Sequence, residues 1–283
     1  MIPIITIEGP TASGKSDLAL KLALELNTEI ISADSRQVYK YLDIGTAKPS
    51  KEVQNMVKHH LIDIITPDQH YNAGSFLREA SVICRHLHSL GKTPIVCGGS
   101  MLYIKCLLEG ISEIPEIPED ANEKTKDFML EKSLEECYAF VKKIDPIFAS
   151  NISSSDKQRI TRVLNVWFAF NKNLTEYWSS GKSQPEFIAH RIYVNRDRTE
   201  LYHRINKRLN DMINQGLLDE IDFLLKKGYS KDDYGLNTVG YKEFLCEDNL
   251  DTAIELAAQH TRNYAKRQIT WYRKINFDEI RGG

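Results

Sequence analysis

The sequence predicts an α/β fold in which a parallel β-sheet core carries a phosphate-binding P-loop and a mainly helical domain is inserted. A strand pattern, a glycine-bounded loop ending in Lys-Ser and a helical pattern follow one another at the start of the chain. Strand and helix patterns then alternate, and two prolines, Pro115 and Pro118, precede a charged helical stretch. Alternating strands and helices indicate a parallel sheet, whose ligands gather beyond the carboxyl ends of the strands.

The first strand pattern is the β-branched run at residues 4–7, and the helical pattern begins near Leu18. Between them, successive backbone N–H groups and a helix N-terminus can surround a phosphate. Lys15 would add a positive charge, and the hydroxyl of Ser16 would bind Mg²⁺. A chance glycine turn is the alternative, but the flanking strand and helix favour binding of a di- or triphosphate. The predicted phosphate-binding residues are Gly9, Pro10, Thr11, Ala12, Ser13, Gly14, Lys15 and Ser16.

The elements that follow the P-loop are read from hydrophobic periodicity and from turn residues. Strands are expected at residues 29–34, 61–65 and 93–97, and helices at residues 73–90 and 102–108. Asp34, Ser100 and the P-loop each come at the carboxyl end of a predicted strand. We therefore expect them to share one crevice.

The prolines near residue 115 mark an extended linker into the inserted domain. We expect the core at residues 1–113 and 189–283 and the helical insertion at residues 114–188, with a returning strand at residues 190–194. Two long helical patterns follow, one with an apolar stripe from Leu201 to Leu217 and one from Ile254 to Ile269. The first carries Arg204 and Arg208 on a separate face, four residues apart.

The second of these helical patterns carries cations among aromatic residues near its C-terminal end: Arg262, Tyr264, Lys266, Arg267, Trp271, Tyr272 and Arg273. One interpretation is a solvated helix face. The other is an RNA contact, because cations bind phosphate and aromatic rings stack on bases.

Composition excludes several classes of protein. The 283 residues are 42% hydrophobic, which suits a packed core, and the net charge of −2 indicates no general affinity for nucleic acid. Five scattered cysteines without a CxxC pair argue against a zinc site or disulfide framework and fit a reducing cytoplasm. Without a long apolar run or a charged leader, no membrane span or signal peptide is expected.

Eight segments together resemble the tRNA dimethylallyltransferases, also called tRNA isopentenyltransferases, of the bacterial type. They occur in collinear order over almost the whole chain. The segments are residues 9–16 (GPTASGKS), 33–39 (ADSRQVY), 43–49 (DIGTAKP), 59–63 (HHLID), 98–103 (GGSMLY), 156–162 (DKQRITR), 239–243 (VGYKE) and 266–271 (KRQITW).

The resemblance implies transfer of a dimethylallyl group from dimethylallyl diphosphate to N6 of the adenosine immediately 3′ of the tRNA anticodon. The partners would be Mg²⁺, dimethylallyl diphosphate and the tRNA anticodon stem-loop, and the protein would be a cytoplasmic monomer. The P-loop would bind the diphosphate leaving group without hydrolysing a nucleoside triphosphate, although the resemblance also implies nucleotide and ATP binding. The insertion would contact the anticodon loop.

The resemblance also assigns residues. Asp34 is the expected general base, with Lys15, Thr11 and Arg208 as further catalytic residues and Arg204 as second choice for the arginine. The expected tRNA contacts are Asp34, Ser35, Arg36, Gln37, Ser100, Gln158, Arg159, Ile160, Thr161, Arg162, Asn237, Thr238, Val239, Gly240, Tyr241, Lys242, Lys266, Arg267, Gln268, Trp271 and Arg273. Ile160 and Ile269 are also candidates for the hydrophobic core, and residues 238–241 for a plain turn before a helix.

The residues alone leave alternatives open. In a P-loop kinase, an aspartate after a strand binds Mg²⁺ through water or accepts a hydroxyl proton, and this role is as consistent with Asp34 as that of a base for N6. An adenine-nucleotide isopentenyltransferase, a P-loop kinase and a non-catalytic RNA-binding P-loop protein are therefore the rival functions. Ser16 and Ser100 replace threonines that are usual in the family, and Asn237 replaces a frequent arginine.

Overall fold

The computed structural model describes residues 1–282 and is built around a six-stranded sheet in which every pairing is parallel. The predicted α/β class is confirmed. The strands lie in the order β3-β2-β4-β1-β5-β6. Strands β2, β3 and β4 thus lie on one side of β1 and strands β5 and β6 on the other, so the direction in which strands are added reverses at β1. The strands are β1 Ile2–Glu8, β2 Ile30–Ser32, β3 His59–His60, β4 Ile95–Gly98, β5 Phe187–Asn195 and β6 Glu279–Gly282.

Thirteen helices are assigned within the described part of the chain. They are α1 Lys15–Glu25, α2 Lys51–Met56, α3 Ala73–Ser89, α4 Met101–Glu109, α5 Glu119–Glu131, α6 Leu134–Ile144, α7 Pro146–Ala149, α8 Lys157–Phe170, α9 Leu174–Ser179, α10 Arg198–Asn214, α11 Leu217–Lys226, α12 Lys242–Cys246 and α13 Leu250–Tyr272. None of them is long and apolar enough to cross a membrane.

The chain forms two compact units. One comprises Met1–Leu108 and the chain from Pro185 onward, and the other comprises Glu109–Gln184. The boundaries of the second unit therefore lie between residues 108 and 109 and between residues 184 and 185, whereas the sequence predicts them at 113/114 and 188/189. The last residue of the predicted core, Gly283, lies outside the described residues.

The sheet of the first unit is covered by helices on both faces. Successive residues of β1 point to opposite faces, so each face contributes to its own hydrophobic cluster. Ile4 belongs to a cluster that includes Phe76 of α3 and Ile104 of α4. Ile7 belongs to a second cluster, with Ala19 and other residues of α1. A parallel sheet buried on both faces leaves its loops as the accessible part, so the carboxyl ends of the strands are where function is to be sought.

The second unit has its own hydrophobic core, formed by α6 to α9: Cys137, Val141, Phe148, Ala149, Ile160, Val163, Leu164, Val166 and Leu174. Helix α6 begins with a capping box in which the hydroxyl of Ser133 accepts from the N–H of Glu136 and the Glu136 carboxylate accepts from the N–H of Ser133. Ile160 is fully buried in this core. Its side chain packs in this core, as the alternative interpretation expects, and a contact of Ile160 with tRNA stays a prediction.

Several elements differ from the sequence prediction, which did not include the short helix α2. The third strand is His59–His60 rather than residues 61–65, because Leu61 and Asp63 adopt left-handed backbone conformations that cannot continue a strand (φ 61° and 57°). The stripe from Leu201 to Leu217 is divided between two helices at Gly216, which has a φ of 99°. Strand β6 was not predicted.

Gly45 is packed against a buried aromatic ring. A Cβ at this position would lie 2.5 Å from the Tyr241 ring, and Tyr241 is fully buried. We expect Gly45→Ala to lower the free energy of unfolding by about 1–3 kcal/mol, since the added methyl group would force the buried ring or the loop to shift. Urea unfolding of Gly45→Ala, Tyr241→Ala and the double variant checks this: the alanine at position 45 should cost much less once the ring is gone. Equal cost in both backgrounds would contradict the packing explanation.

Candidate active site

The phosphate loop, residues 9–16, connects β1 to α1 at the point where the strand order reverses. Gly14 caps α1 with a φ of 98°, a conformation that favours glycine, and α1 begins at Lys15. The hydroxyl of Ser13 is buried and has no hydrogen-bond partner among the described residues. An anion such as a phosphate would suit this place. Its oxygen atoms could accept hydrogen bonds from the Ser13 hydroxyl and from the N–H groups at the start of α1.

Three arginines contact consecutive residues of the phosphate loop. Arg196 Nε donates to the carbonyl of Ser13 at 3.2 Å, and Arg204 Nε donates to the carbonyl of Ala12 at 2.9 Å. Arg208 Nη2 donates to Thr11 Oγ1 at 2.7 Å. The first two fix the loop through its carbonyl groups, whereas the third contacts a side chain. The arrangement concentrates positive charge around the loop and can stabilise a polyphosphate.

The cations of the site are partly desolvated. Burial lowers the pKa of Lys15, against the opposing charges of Cys97 and Asp34, and Lys15 Nζ donates to the carbonyl of Pro10 at 3.3 Å. Burial also lowers the pKa of Arg208, which the charge of Asp34 opposes and that of Arg204 reinforces. Asp34 is thus electrostatically coupled to both cations.

The lowered pKa of Lys15 predicts a pH dependence of anion binding. Its positive charge is lost at a lower pH than the ordinary lysine value of 10.5, so affinity for an anion should fall as pH rises through the lowered pKa. Titration with inorganic pyrophosphate by calorimetry across the alkaline range checks this. Lys15→Met should bind more weakly and lose this fall. A wild-type affinity that stays constant up to the ordinary lysine range would contradict the shift.

Asp34 follows β2 and forms the start of a tight turn. Its Oδ1 accepts from the N–H of Arg36 at 2.8 Å and from that of Gln37 at 3.4 Å. The N–H of Ser35 donates to Ser100 Oγ at 2.9 Å, so the loops after β2 and β4 meet here. Asp34, Ser100 and the phosphate loop belong to the same unit, and the prediction that they share one crevice stays a prediction.

The side chain of Gln37 is engaged within the protein. Its Nε2 donates to the carbonyl groups of Thr46 and Ala47, and its Oε1 accepts from Ser32 Oγ. Gln37 remains half-buried. The predicted reading of a base edge by Gln37 stays a prediction, and it requires this amide to exchange partners.

Several predicted tRNA contacts are buried. Gln268 and Tyr241 have no exposed surface, and Thr238 and Gly240 are also buried. The hydroxyl of Tyr241 donates to Glu220 at 2.6 Å. The side chains of Gln268, Tyr241 and Thr238 are packed within the protein, so an RNA contact through them stays a prediction and requires these side chains to move. Gly240, which is also buried, has no side chain. Asn237 is exposed, and Val239 and Lys242 are half-buried.

The exposed face of α13 carries the remaining predicted cations. A groove of about 470 Å³ is lined by Asn263, Lys266, Arg267, Thr270, Trp271 and Lys274. We call it the basic groove. Arg273 is exposed but does not line it. A groove that combines three cations with an indole ring can hold a nucleotide through its phosphate and its base.

Five predicted contacts lie in the second unit, on α8, and of these only Ile160 is buried. Gln158, Arg159 and Arg162 are exposed and Thr161 is half-buried. Asp156 caps this helix by accepting from the N–H of Arg159 at 3.1 Å. Gln158 and Arg162 are thus exposed to a partner, whereas the exposed Arg159 forms an ion pair with Asp156 at 3.5 Å.

Sequence reasoning missed two residues that shape the site. Arg196 directly follows β5, so the rule that ligands gather at carboxyl ends of parallel strands could have identified it. Glu220 accepts from the N–H groups of Asp43, Ile44 and Gly45 as well as from Tyr241. No local pattern indicates Glu220, since its partners are remote in sequence.

Among residues 1–282, no group of three His, Cys, Asp or Glu side chains is arranged to hold a metal ion.

Comparison with known proteins gives consistent results. The family model described as IPP transferase matches residues 37–275. The chain is 41% identical to a tRNA dimethylallyltransferase of Thermoanaerobacter sp. (strain X514), covering 98% of this chain and 90% of that protein. It is 39% identical to tRNA dimethylallyltransferase 2 of Geotalea uraniireducens (strain Rf4), over 96% of this chain and 90% of that one.

Solved structures agree. A tRNA isopentenylpyrophosphate transferase of Staphylococcus epidermidis superposes with a TM-score of 0.68 at 32% identity, covering 99% of this chain and 92% of that chain. A eukaryotic dimethylallyltransferase, described as acting on tRNA, superposes with a TM-score of 0.82 at 27% identity, over 96% of this chain and 70% of that chain.

Proposed function

The chain belongs to the IPP transferase family, and on that premise we propose that it transfers a dimethylallyl group from dimethylallyl diphosphate to tRNA. The acceptor in this proposal is N6 of the adenosine immediately 3′ of the anticodon. The observation that carries it is the meeting of two features in one unit: a phosphate loop held by three arginines, and a carboxylate, Asp34, that is electrostatically coupled to Lys15 and Arg208.

The leaving group determines the first requirement. An allylic diphosphate reacts by cleavage of a carbon–oxygen bond, so negative charge grows on the departing diphosphate as positive charge grows on the allyl carbon. The backbone N–H groups of the phosphate loop, Lys15 and Arg208 would stabilise that negative charge. Thr11, whose hydroxyl accepts from Arg208, would hold the guanidinium at the diphosphate.

The acceptor determines the second requirement. An adenine N6 amine is a poor nucleophile because its lone pair is delocalised into the ring. The Asp34 carboxylate would accept a hydrogen bond from N6, orient it toward the allyl carbon and take its proton as the carbon–nitrogen bond forms. The Oδ1 bonds to Arg36 and Gln37 fix the carboxyl group, and Oδ2 remains for the substrate.

Mg²⁺ fits the same loop. Ser16 is exposed at the first turn of α1 and forms no hydrogen bond through its hydroxyl to any described residue. Mg²⁺ characteristically takes few protein ligands and completes its coordination with phosphate oxygens and water. When bound there, Mg²⁺ would supply additional neutralisation of the diphosphate.

For the RNA, we propose contacts through the basic groove, the loops around Asp34 and Ser100, and the exposed residues of α8. The target adenosine must leave the stack of the anticodon loop, at a cost of a few kcal/mol. Cations and an indole ring in the basic groove would bind the neighbouring nucleotides and offset that cost. A cytoplasmic, monomeric enzyme is part of this proposal.

The basic groove predicts a salt dependence. We expect Lys266→Ala and Arg267→Ala each to weaken binding of an anticodon stem-loop and to reduce the slope of log K against log salt by about 0.7–0.9, because each removes one phosphate contact. Fluorescence anisotropy at several salt concentrations measures this, with the exposed Lys226→Ala as the matched control. Slopes identical to that of the control would show that Lys266 and Arg267 do not contact phosphate and belong to a solvated helix face.

Incubation with labelled dimethylallyl diphosphate and Mg²⁺ tests the proposed function. The acceptors offered together are an anticodon stem-loop, AMP and ATP. We expect label on the stem-loop. Label on AMP or ATP would identify an adenine-nucleotide isopentenyltransferase, and consumption of ATP without any transfer of label would identify a P-loop kinase.

A further inference from the structure

Gln268 is a predicted RNA contact whose side chain is fully buried beside the phosphate loop. It has no exposed surface, although its neighbours Lys266 and Arg267 on α13 are exposed. Its Oε1 accepts from the backbone N–H of Thr11 at 2.9 Å, and its Nε2 donates to the carbonyl of Gly99 at 2.9 Å. One buried amide thus joins the phosphate loop to the turn after β4.

The two partners fix the orientation of the amide. The Thr11 partner is a backbone N–H and can only donate, and the Gly99 partner is a carbonyl oxygen and can only accept. Tyr264 also donates to the Gly99 carbonyl, at 3.3 Å. A glutamine side chain meets both needs at this length, whereas an ionised glutamate offers only acceptors and leucine offers neither group.

Each of the two loops joined by Gln268 also carries a hydrogen bond to, or next to, a residue proposed to act in the reaction. The hydroxyl of Thr11 accepts from Arg208. Next to Gly99, the hydroxyl of Ser100 accepts from the N–H of Ser35, which adjoins Asp34. Gln268 therefore stands between the group that would stabilise the diphosphate and the group that would orient N6.

The Gln268 amide packs tightly against Gly99. A Cβ at Gly99 would lie 2.4 Å from Gln268 Nε2, so only glycine lets the amide approach this carbonyl. A buried amide with both ends engaged is costly to disturb, because the released Thr11 N–H would lose its partner. The Gly99 carbonyl would keep the hydroxyl of Tyr264 and the N–H of Met101. The separation of the two loops is thereby fixed.

We propose that Gln268 is a positioning residue that sets the distance between the diphosphate and the N6 amine during transfer. The proposal rests on the proposed function and adds a residue to it. Each half of the site keeps its own contacts when Gln268 is altered, so substrate binding should persist while the alignment of the reacting atoms is lost. A displacement of about 1 Å at reacting atoms can lower a rate by about 10²-fold.

The test is steady-state kinetics of Gln268→Leu and Gln268→Glu against wild type, with Gln259→Glu as the matched control on the exposed face of α13. We expect kcat of Gln268→Leu to fall by about 10²-fold, with KM for dimethylallyl diphosphate and Kd for the stem-loop unchanged. Wild-type kcat, or an equal loss of binding and kcat, would overturn the proposal. Absence of transfer by wild type would instead defeat the proposed function.

Gln268→Glu keeps the test decisive if the leucine variant does not fold. An ionised glutamate opposes the Gly99 carbonyl with a second acceptor, whereas a protonated one can donate to it as glutamine does. We therefore expect the ratio of its kcat to that of wild type to rise as pH falls, while Gln259→Glu shows no such trend. A pH-independent ratio for Gln268→Glu would overturn the hydrogen-bond account.

Discussion

Replacing Asp34 with asparagine is expected to lower kcat by about 10²–10⁴-fold, the contribution typical of a general base. Asparagine keeps the Oδ1 acceptor that the N–H groups of Arg36 and Gln37 use, so the turn should remain intact. What is lost is the second carboxylate oxygen and its negative charge, which the proposal assigns to the N6 amine. Single-turnover transfer to a stem-loop under saturating substrates measures the loss.

Binding provides the control for this variant. The Kd of the stem-loop, measured by anisotropy, should stay unchanged, because the carboxylate acts on one amine rather than on the RNA as a whole. A loss of affinity equal to the loss of kcat would make Asp34 a binding residue. An unchanged kcat would remove it from the mechanism.

Replacing Arg208 with glutamine is expected to lower kcat/KM for dimethylallyl diphosphate by about 10²–10³-fold, the usual cost of removing one group that stabilises developing charge. Arg208 donates to Thr11 at 2.7 Å and its charge is partly desolvated, which strengthens its interaction with an anion. Initial rates at varied diphosphate concentration measure the effect.

The adjacent Lys207 supplies a matched control, since it is exposed on the same helix. Lys207→Gln should retain wild-type kinetics, and both variants should bind the stem-loop as wild type does. If the two variants lose the same activity, the effect of Arg208 is one of overall charge rather than of its place at the phosphate loop. Thr11→Val should reproduce part of the loss, because it removes the hydroxyl that Arg208 contacts.

The sequence was sufficient for the fold class and for the elements whose signal is local. The loop at residues 9–16 has its own glycines and flanking strand and helix, and α3 has both a helical stripe and a capping Asn72. The third strand was misplaced because Leu61 and Asp63 look like strand residues and yet adopt left-handed conformations that only tertiary packing imposes. Local propensity could not reveal this.

The site shows the same division. Asp34 and Ser100 could be placed by the rule for parallel sheets, since both follow strands. Gln268 was assigned to RNA through the family resemblance. Its buried position depends on a hydrogen bond to Thr11, 257 residues away in the sequence, which no periodicity encodes. Glu220 escaped notice for the same reason, because its four donors lie far away in sequence.

The most direct test of the account is the identity of the modified nucleoside. Two stem-loops would be incubated with dimethylallyl diphosphate, Mg²⁺ and the enzyme, one with adenosine 3′ of the anticodon and one with purine riboside there, which lacks the exocyclic amine. After digestion, mass spectrometry should find one dimethylallyl group on that adenosine and no transfer to the purine riboside stem-loop. Equal modification of both stem-loops, or modification at another nucleotide, would contradict transfer to N6 at this position.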